Sequence, residues 1–120
     1  MIFNHRGIRV FVYGEPIDLR SGFDRLSYFV REHLGSDLLA GHVYLFLGRN
    51  RRRAKALTFD GTGLVLIHKR LEVGRFMAAE DLRDIGEITA SELGLILDGT
   101  QVRLPMAPSS YARACRAERK

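Results

Sequence analysis

Four arginines in five positions, Arg49, Arg51, Arg52 and Arg53, with Lys55 close behind, are the densest run of one chemistry in this 120-residue chain. Guanidinium forks match phosphate oxygens, and each phosphate they neutralise releases counterions, so the cluster is suited to nucleic acid. Lys69, Arg70 and Arg75 extend it along the chain. A solvated hairpin tip would explain some charge, but lysine or glutamate keeps a loop soluble equally well. The net charge of +5 is uneven: residues 1–48 balance, residues 49–75 carry eight basic and two acidic groups, residues 76–102 one and six, and residues 103–120 five and one. The middle block attracts a polyanion; the acidic block after it would repel one or face a basic protein.

A second candidate is Asp18-Leu19-Arg20-Ser21-Gly22-Phe23-Asp24, where carboxylates, an arginine and a hydroxyl meet at a helix entrance. Such an entrance holds anions, with Arg20 assisting. The simpler account is local: Ser21 caps the helix, Asp24 favours its dipole and Asp18 pairs with an arginine. Asp18, Asp24 and Asp60 make a poor two-metal nuclease site, because Asp60 stands in an Asp-Gly turn that favours aspartate for its conformation. His5, His33, His42 and His68 lack the close spacing of metal ligands, and the single Cys115 allows neither an intrachain disulfide nor a cysteine zinc site. Ser109, Ser110 and Cys115 have no orienting base, and no Walker-type loop occurs. Neither catalysis nor a cofactor or metal is expected. Phe46, Phe59 and Phe76 could stack on bases, but core packing is the better use of such residues.

The elements that would position these groups follow from periodicity. Ile8-Arg9-Val10-Phe11-Val12-Tyr13, closed by Gly14 and Pro16, reads as a strand. From Ser21, the residues Phe23, Leu26, Phe29, Val30 and Leu34 recur at helical spacing up to Gly35. Val43–Leu47 and Ala54–Phe59 read as two strands joined through the arginines, and Asp60-Gly61-Thr62-Gly63 turns into a third, Leu64–Leu71, giving an antiparallel meander. A shorter strand is expected through Arg75-Phe76-Met77. Thr89-Ala90-Ser91-Glu92 is a capping box, with Ile88 and Leu93 placed as a hydrophobic staple, Leu93, Ile96 and Leu97 as its buried face, and Gly99 as its stop. The expected fold is α+β: a small, mainly antiparallel sheet of meander plus N-terminal strand, one amphipathic helix near the N-terminus and a short one near the C-terminus. Residues 1–104 form the single domain, and 105–120 a basic, flexible tail. The charged N-terminus lacks a secretory layout and no apolar run spans a membrane, so a cytoplasmic location is expected.

Several blocks together resemble a known family. Asp18–Asp24, Gly41-His42-Val43-Tyr44-Leu45-Phe46 with the arginines after Gly48, Lys55-Ala56-Leu57, Asp60-Gly61-Thr62-Gly63 and Lys69-Arg70-Leu71-Glu72-Val73-Gly74-Arg75-Phe76 look like successive blocks of the TnpB-type accessory protein of insertion sequence family 66. The likeness spans roughly residues 7 to 99. Two family tryptophans are replaced, one by Phe59 and one in the stretch Met77-Ala78-Ala79. The resemblance implies a bacterial protein encoded beside a separate, larger transposase and needed for movement of the element without being its catalyst. On that footing the chain is expected to associate with DNA at the element's ends through Arg49, Arg51, Arg52, Arg53, Lys55, Lys69, Arg70, Arg75 and Arg20. The rival is an adaptor that docks the transposase without touching DNA; a weaker third reading is an RNA-binding regulator. An exposed sheet edge in so small a domain leaves room for a homodimer.

Overall fold

The fold is organised around one apolar run. A computed structural model describes residues 8–18, 20–33 and 40–102. In it Val43–Leu47 forms strand β2, buried at all five positions. A strand without a polar face needs cover on both sides and hydrogen-bond partners along both edges. Strand β1 (Val10–Val12) supplies one edge, parallel to β2 with Val10 beside Val43. Strand β3 (Arg53–Phe59) supplies the other, antiparallel, with Leu47 opposite Ala54. Strand β4 (Leu64–Arg70) returns beside β3, placing Arg70 opposite Arg53, and β5 (Glu87–Ile88) closes the far side against β1. The order is β4-β3-β2-β1-β5.

The expected meander is therefore present as β2-β3-β4, within an α+β fold. The N-terminal strand is parallel to its neighbour because helix α1 (Phe23–His33) carries the chain across between them. Leu26 and Val30, one helical turn apart, are fully buried against Tyr44, Phe46 and Leu57 on one sheet face. The helix begins later than Ser21: Leu26 N–H donates to Gly22 O, while Ser21 N–H closes a turn onto Asp18 O. Phe23 consequently lies at the exposed edge of the first turn rather than on the buried face. Leu34 and Gly35 lie outside the described residues, as do residues 103–120, which include the expected tail at 105–120 and Cys115.

The opposite face carries Val10, Val12, Leu45, Leu47, Ala54 and Ala56, covered by Leu71, Phe76, Met77, Leu82 and Ile96. The short strand expected at Arg75-Phe76-Met77 does not form. Phe76 is fully buried as a plug in this cluster, its backbone bonds to the arginine turn, and the fifth strand is Glu87–Ile88 instead. Phe46 is also fully buried and Phe59 partly so, which uses these rings as packing. Helix α2 (Ala90–Leu97) has the expected capping box: Thr89 Oγ1 accepts from Glu92 N at 3.1 Å, and Glu92 Oε1 accepts from Thr89 N at 2.7 Å. Gly99 ends it at φ 86°, a conformation costly for other residues.

Thr89→Ala is expected to lower stability by about 1 kcal/mol in urea denaturation, because it removes the hydroxyl half of the box. Ser27 is buried on α1 with its hydroxyl unpartnered. Ser27→Ala should accordingly raise stability by about 1 kcal/mol in the same assay, and a loss would show that the hydroxyl has a partner.

Candidate nucleic-acid interface

The arginine turn is shaped by where β2 must stop. Gly48 N–H donates to Arg53 O at 2.9 Å, closing the ladder, and the loop Arg49–Arg52 folds on an Arg51 N–H to Gly48 O bond. Asn50 Oδ1 accepts from Arg52 N at 3.0 Å, stiffening the tip. Arg51 takes φ 63°, the left-handed region that non-glycine residues occupy at a cost. That conformation is secured by Phe76. Arg51 O accepts from Phe76 N at 2.6 Å, and Arg51 Nε donates to Phe76 O at 2.9 Å. Arg51 thus ties the turn to the buried Phe76, which leaves its guanidinium partly committed.

The Asp18–Asp24 segment is brought to the same place by a backbone link. Ile17 N–H donates to Leu47 O at 3.1 Å, and Ile17 bridges Gly48 in parallel fashion, extending the β1–β2 pairing past Gly14 and Pro16. Between the two lies an open groove of about 460 Å³, lined by Ile17, Asp18, Arg20, Gly48, Arg49, Asn50 and Arg53. Asp18 grips Arg20 with both oxygens, Nε at 3.1 Å from Oδ1 and Nη2 at 2.8 Å from Oδ2, as the local reading expects. The Arg20 side-chain and backbone hydrogen bonds, with smaller help from the Arg20 and Arg25 charges, bring the Asp18 carboxyl down to about 2.

Lys55 lies beneath this groove and not on it. It is 6% exposed, and its ammonium donates to Ser21 O at 2.6 Å. Burial lowers its pKa, Asp18 opposes that and Arg53 adds to it. The sequence places it among phosphate-contacting cations; the structure gives it the task of pinning the α1 entrance to β3. Alternation along β3 and β4 divides the remainder. Arg53, His68 and Arg70 share the α1 face, whereas Lys69 stands on the opposite face, 3.8 Å from Asp98. Arg70 pairs with Glu72 at 2.9 Å. Arg75 is exposed and adjoins the arginine turn through the Phe76–Arg51 bonds.

Among the described residues, the guanidiniums of Arg49, Arg52, Arg53 and Arg75 have no hydrogen-bond or carboxylate partner, while those of Arg20, Arg51 and Arg70 do. Asn50 and the largely buried Ile17 also line the groove, and His68, weighed in the sequence only as a metal ligand, stands beside Arg53 and Arg70. A turn asparagine between arginines was the visible signal for Asn50; the strand register that sets His68 beside Arg53 and Arg70 is not legible locally. Much of the acidic block is structural: Glu87 pairs with Arg9 at 2.6 Å and Glu92 completes the α2 cap. Asp60 Oδ1 accepts from Thr62 N, Thr62 Oγ1 and Gly63 N, which lowers its pKa. It sits at the far end of β3, roughly 20 Å of strand away from the Asp18 groove, so the two cannot share a metal. Among the described residues no cluster could hold a metal ion, and no helix is long and apolar enough to cross a membrane.

The IS66 Orf2-like protein family matches residues 8–107 of this sequence. Two relatives come from Sinorhizobium fredii strain NBRC 101917 / NGR234. The uncharacterized protein y4jC is 30% identical over 106 residues, covering 86% of this chain and 91% of its own. The uncharacterized protein y4hO is 31% identical over 105 residues, covering 88% and 91%. No solved structure matches significantly.

The cationic setting has a measurable consequence at His68, whose imidazole is pushed below its ordinary 6.5 by burial first, then by Lys55, Arg53 and Arg70. The folded state therefore resists this protonation more than the unfolded chain does. Its contribution is neutral above 6.5, and stability is lost as pH falls from 6.5 through the lowered folded value. The urea midpoint should drop between about pH 7 and pH 5, and His68→Gln should flatten that slope relative to the parent. An unchanged slope would place the proton uptake elsewhere.

Proposed function

Because the chain belongs to the IS66 Orf2-like family, with an accessory role in transposition, we propose that it associates with DNA through its arginine turn and assists a separate transposase. The observation that carries this reading is the set of four unpartnered guanidiniums, Arg49, Arg52, Arg53 and Arg75, gathered at one end of the sheet. Four free forks on and beside a hydrogen-bonded turn hold their charge ready for phosphates, without a carboxylate that must first be displaced. Arg20 and Arg70 border the same surface, but each must exchange a carboxylate for a phosphate, so they contribute less. Arg51 keeps the turn in shape, Lys55 supports it from below, and Lys69 lies on the other face. Among the described residues no helix lies at the arginine turn to read base edges, so in this reading phosphate contact supplies affinity and the transposase supplies sequence choice. The work is that of a bacterial cytoplasmic protein without its own catalytic site or cofactor.

Fluorescence anisotropy with duplex DNA carrying the element's end, against scrambled duplex, tests this across a salt series. Four phosphate contacts give a log-log slope of about −4. Arg49→Glu with Arg53→Glu should weaken binding at least about tenfold and make the slope shallower by about two units, while Lys69→Gln changes little. No binding at low salt would overturn DNA contact and leave the adaptor reading, in which the basic turn or the exposed acids of the Ala79–Leu82 turn dock the transposase.

A further inference from the structure

Of the two edges of the sheet, β5 is only two residues long, but β4 offers seven residues with no strand beside them among the described residues. The hydrogen-bond phase of that edge can be read from its ends. Asp60 N–H donates to Gly63 O and Leu71 N–H to Arg52 O, so the odd-numbered residues 63 to 71 turn their backbone groups toward β3. Leu64, Leu66, His68 and Arg70 therefore direct backbone N–H and C=O outward, and none of these backbone groups has a hydrogen-bond partner among the described residues. Bare edges of this length are usually blocked or used.

We propose that a second copy of this chain uses it: two β4 strands pair antiparallel about a two-fold axis at Ile67, joining two five-stranded sheets into one. Phase and charge select this arrangement together. Centred on Ile67, residue 64 meets 70 of the other copy and 66 meets 68, so every hydrogen-bonded pair joins two outward-facing residues, and the whole strand is used. The basic end, His68-Lys69-Arg70, then lies against the apolar end, Leu64-Val65-Leu66, and no cation faces its like. Centring one residue later sets His68 against His68 and draws the basic ends together, which costs free energy; centring one residue earlier runs the pairing into the Asp60–Gly63 turn. Ile67, 37% exposed in the single chain, meets its own counterpart in a non-hydrogen-bonded pair, where side chains approach most closely. An axis perpendicular to the sheet keeps both α1 faces, and both arginine grooves, on one side. The inference does not depend on DNA contact, since it concerns an edge and not the groove.

The test uses the full chain with its single cysteine removed, Cys115→Ser. Ile67→Cys added to it should give a disulfide-linked dimer on mild oxidation, because cross-strand Cα atoms about 4.5 Å apart suit that bond. Val65→Cys should not, since Val65 faces Lys69 of the other copy. By sedimentation, the parent chain should show a concentration-dependent dimer, and Ile67→Lys should be monomeric with an unchanged circular dichroism spectrum. A parent that stays monomeric across the concentration series overturns the proposal. So does a dimer that survives Ile67→Lys, or one that cross-links equally through Val65→Cys. His68→Pro, which removes an outward donor and spares the β3 ladder, provides a second monomeric variant should Ile67→Lys fail to fold.

Discussion

Everything in this fold answers to the burial of β2. Five consecutive buried residues, Val43 to Leu47, can lie in a folded protein only if every backbone group is paired and both faces are sealed. The pairing recruits β1 on one side and β3 on the other. The sealing recruits α1 above and the Leu71–Ile96 region below. Gly48 is the point at which the strand leaves this enclosure, and the charge begins at the next residue. The arginine cluster is therefore tied to the core: the same strand that demands complete cover delivers the cations to the first place where water reaches the chain.

Much of this was legible because it is written locally. The β2–β3–β4 meander shows in short apolar runs separated by Arg49–Arg52 and Asp60–Gly63, and the Thr89 box and Gly99 stop mark α2 to within a residue. What was not legible depends on partners distant in sequence. Parallel pairing of β1 with β2 needs the α1 crossover, which periodicity reveals as a helix but not as a connection across the sheet. Arg75-Phe76-Met77 has strand composition, yet Phe76 is worth more as a plug against Leu45 and Leu47 than as an edge residue, and Glu87–Ile88, too short to carry a pattern, takes the place beside β1. Lys55 is the sharpest case. In sequence it continues the arginine run; in the fold its register on β3 turns it inward, where the Ser21 carbonyl, helped by the Asp18 charge, makes burial of an ammonium tolerable.

The eight cations of residues 49–75 thus perform different jobs despite identical formal charge. Lys55 and Arg51 are structural, one fastening α1 to β3 and the other holding a left-handed turn against Phe76. Arg70 and Lys69 have acids nearby. The remaining Arg49, Arg52, Arg53 and Arg75 are those whose charge the protein does not spend on itself. Counting basic residues overstates the surface available to a polyanion by about a factor of two, and the structure-based count is the one that belongs in a salt-dependence argument.

The Asp18–Arg20 pair sharpens the same point. For the phosphate contact proposed above, a carboxylate in the groove looks counterproductive, since it repels an anion and occupies a fork. Its bond geometry gives it a structural role. By engaging Nε and Nη2, Asp18 fixes Arg20 at the groove wall, while the backbone bond to Arg20 N holds the turn that leads to Ser21 and its contact with Lys55. Both residues are exposed, so the pair adds little to stability in solvent. What it contributes is position: it fixes one side of the groove relative to the arginine turn, and under the proposed function a phosphate entering between them would meet Arg49 and Arg53 as free forks and Arg20 as a side chain whose charge Asp18 already offsets. The attraction of the groove then rests on β3 and its turn, and the helix entrance sets its shape.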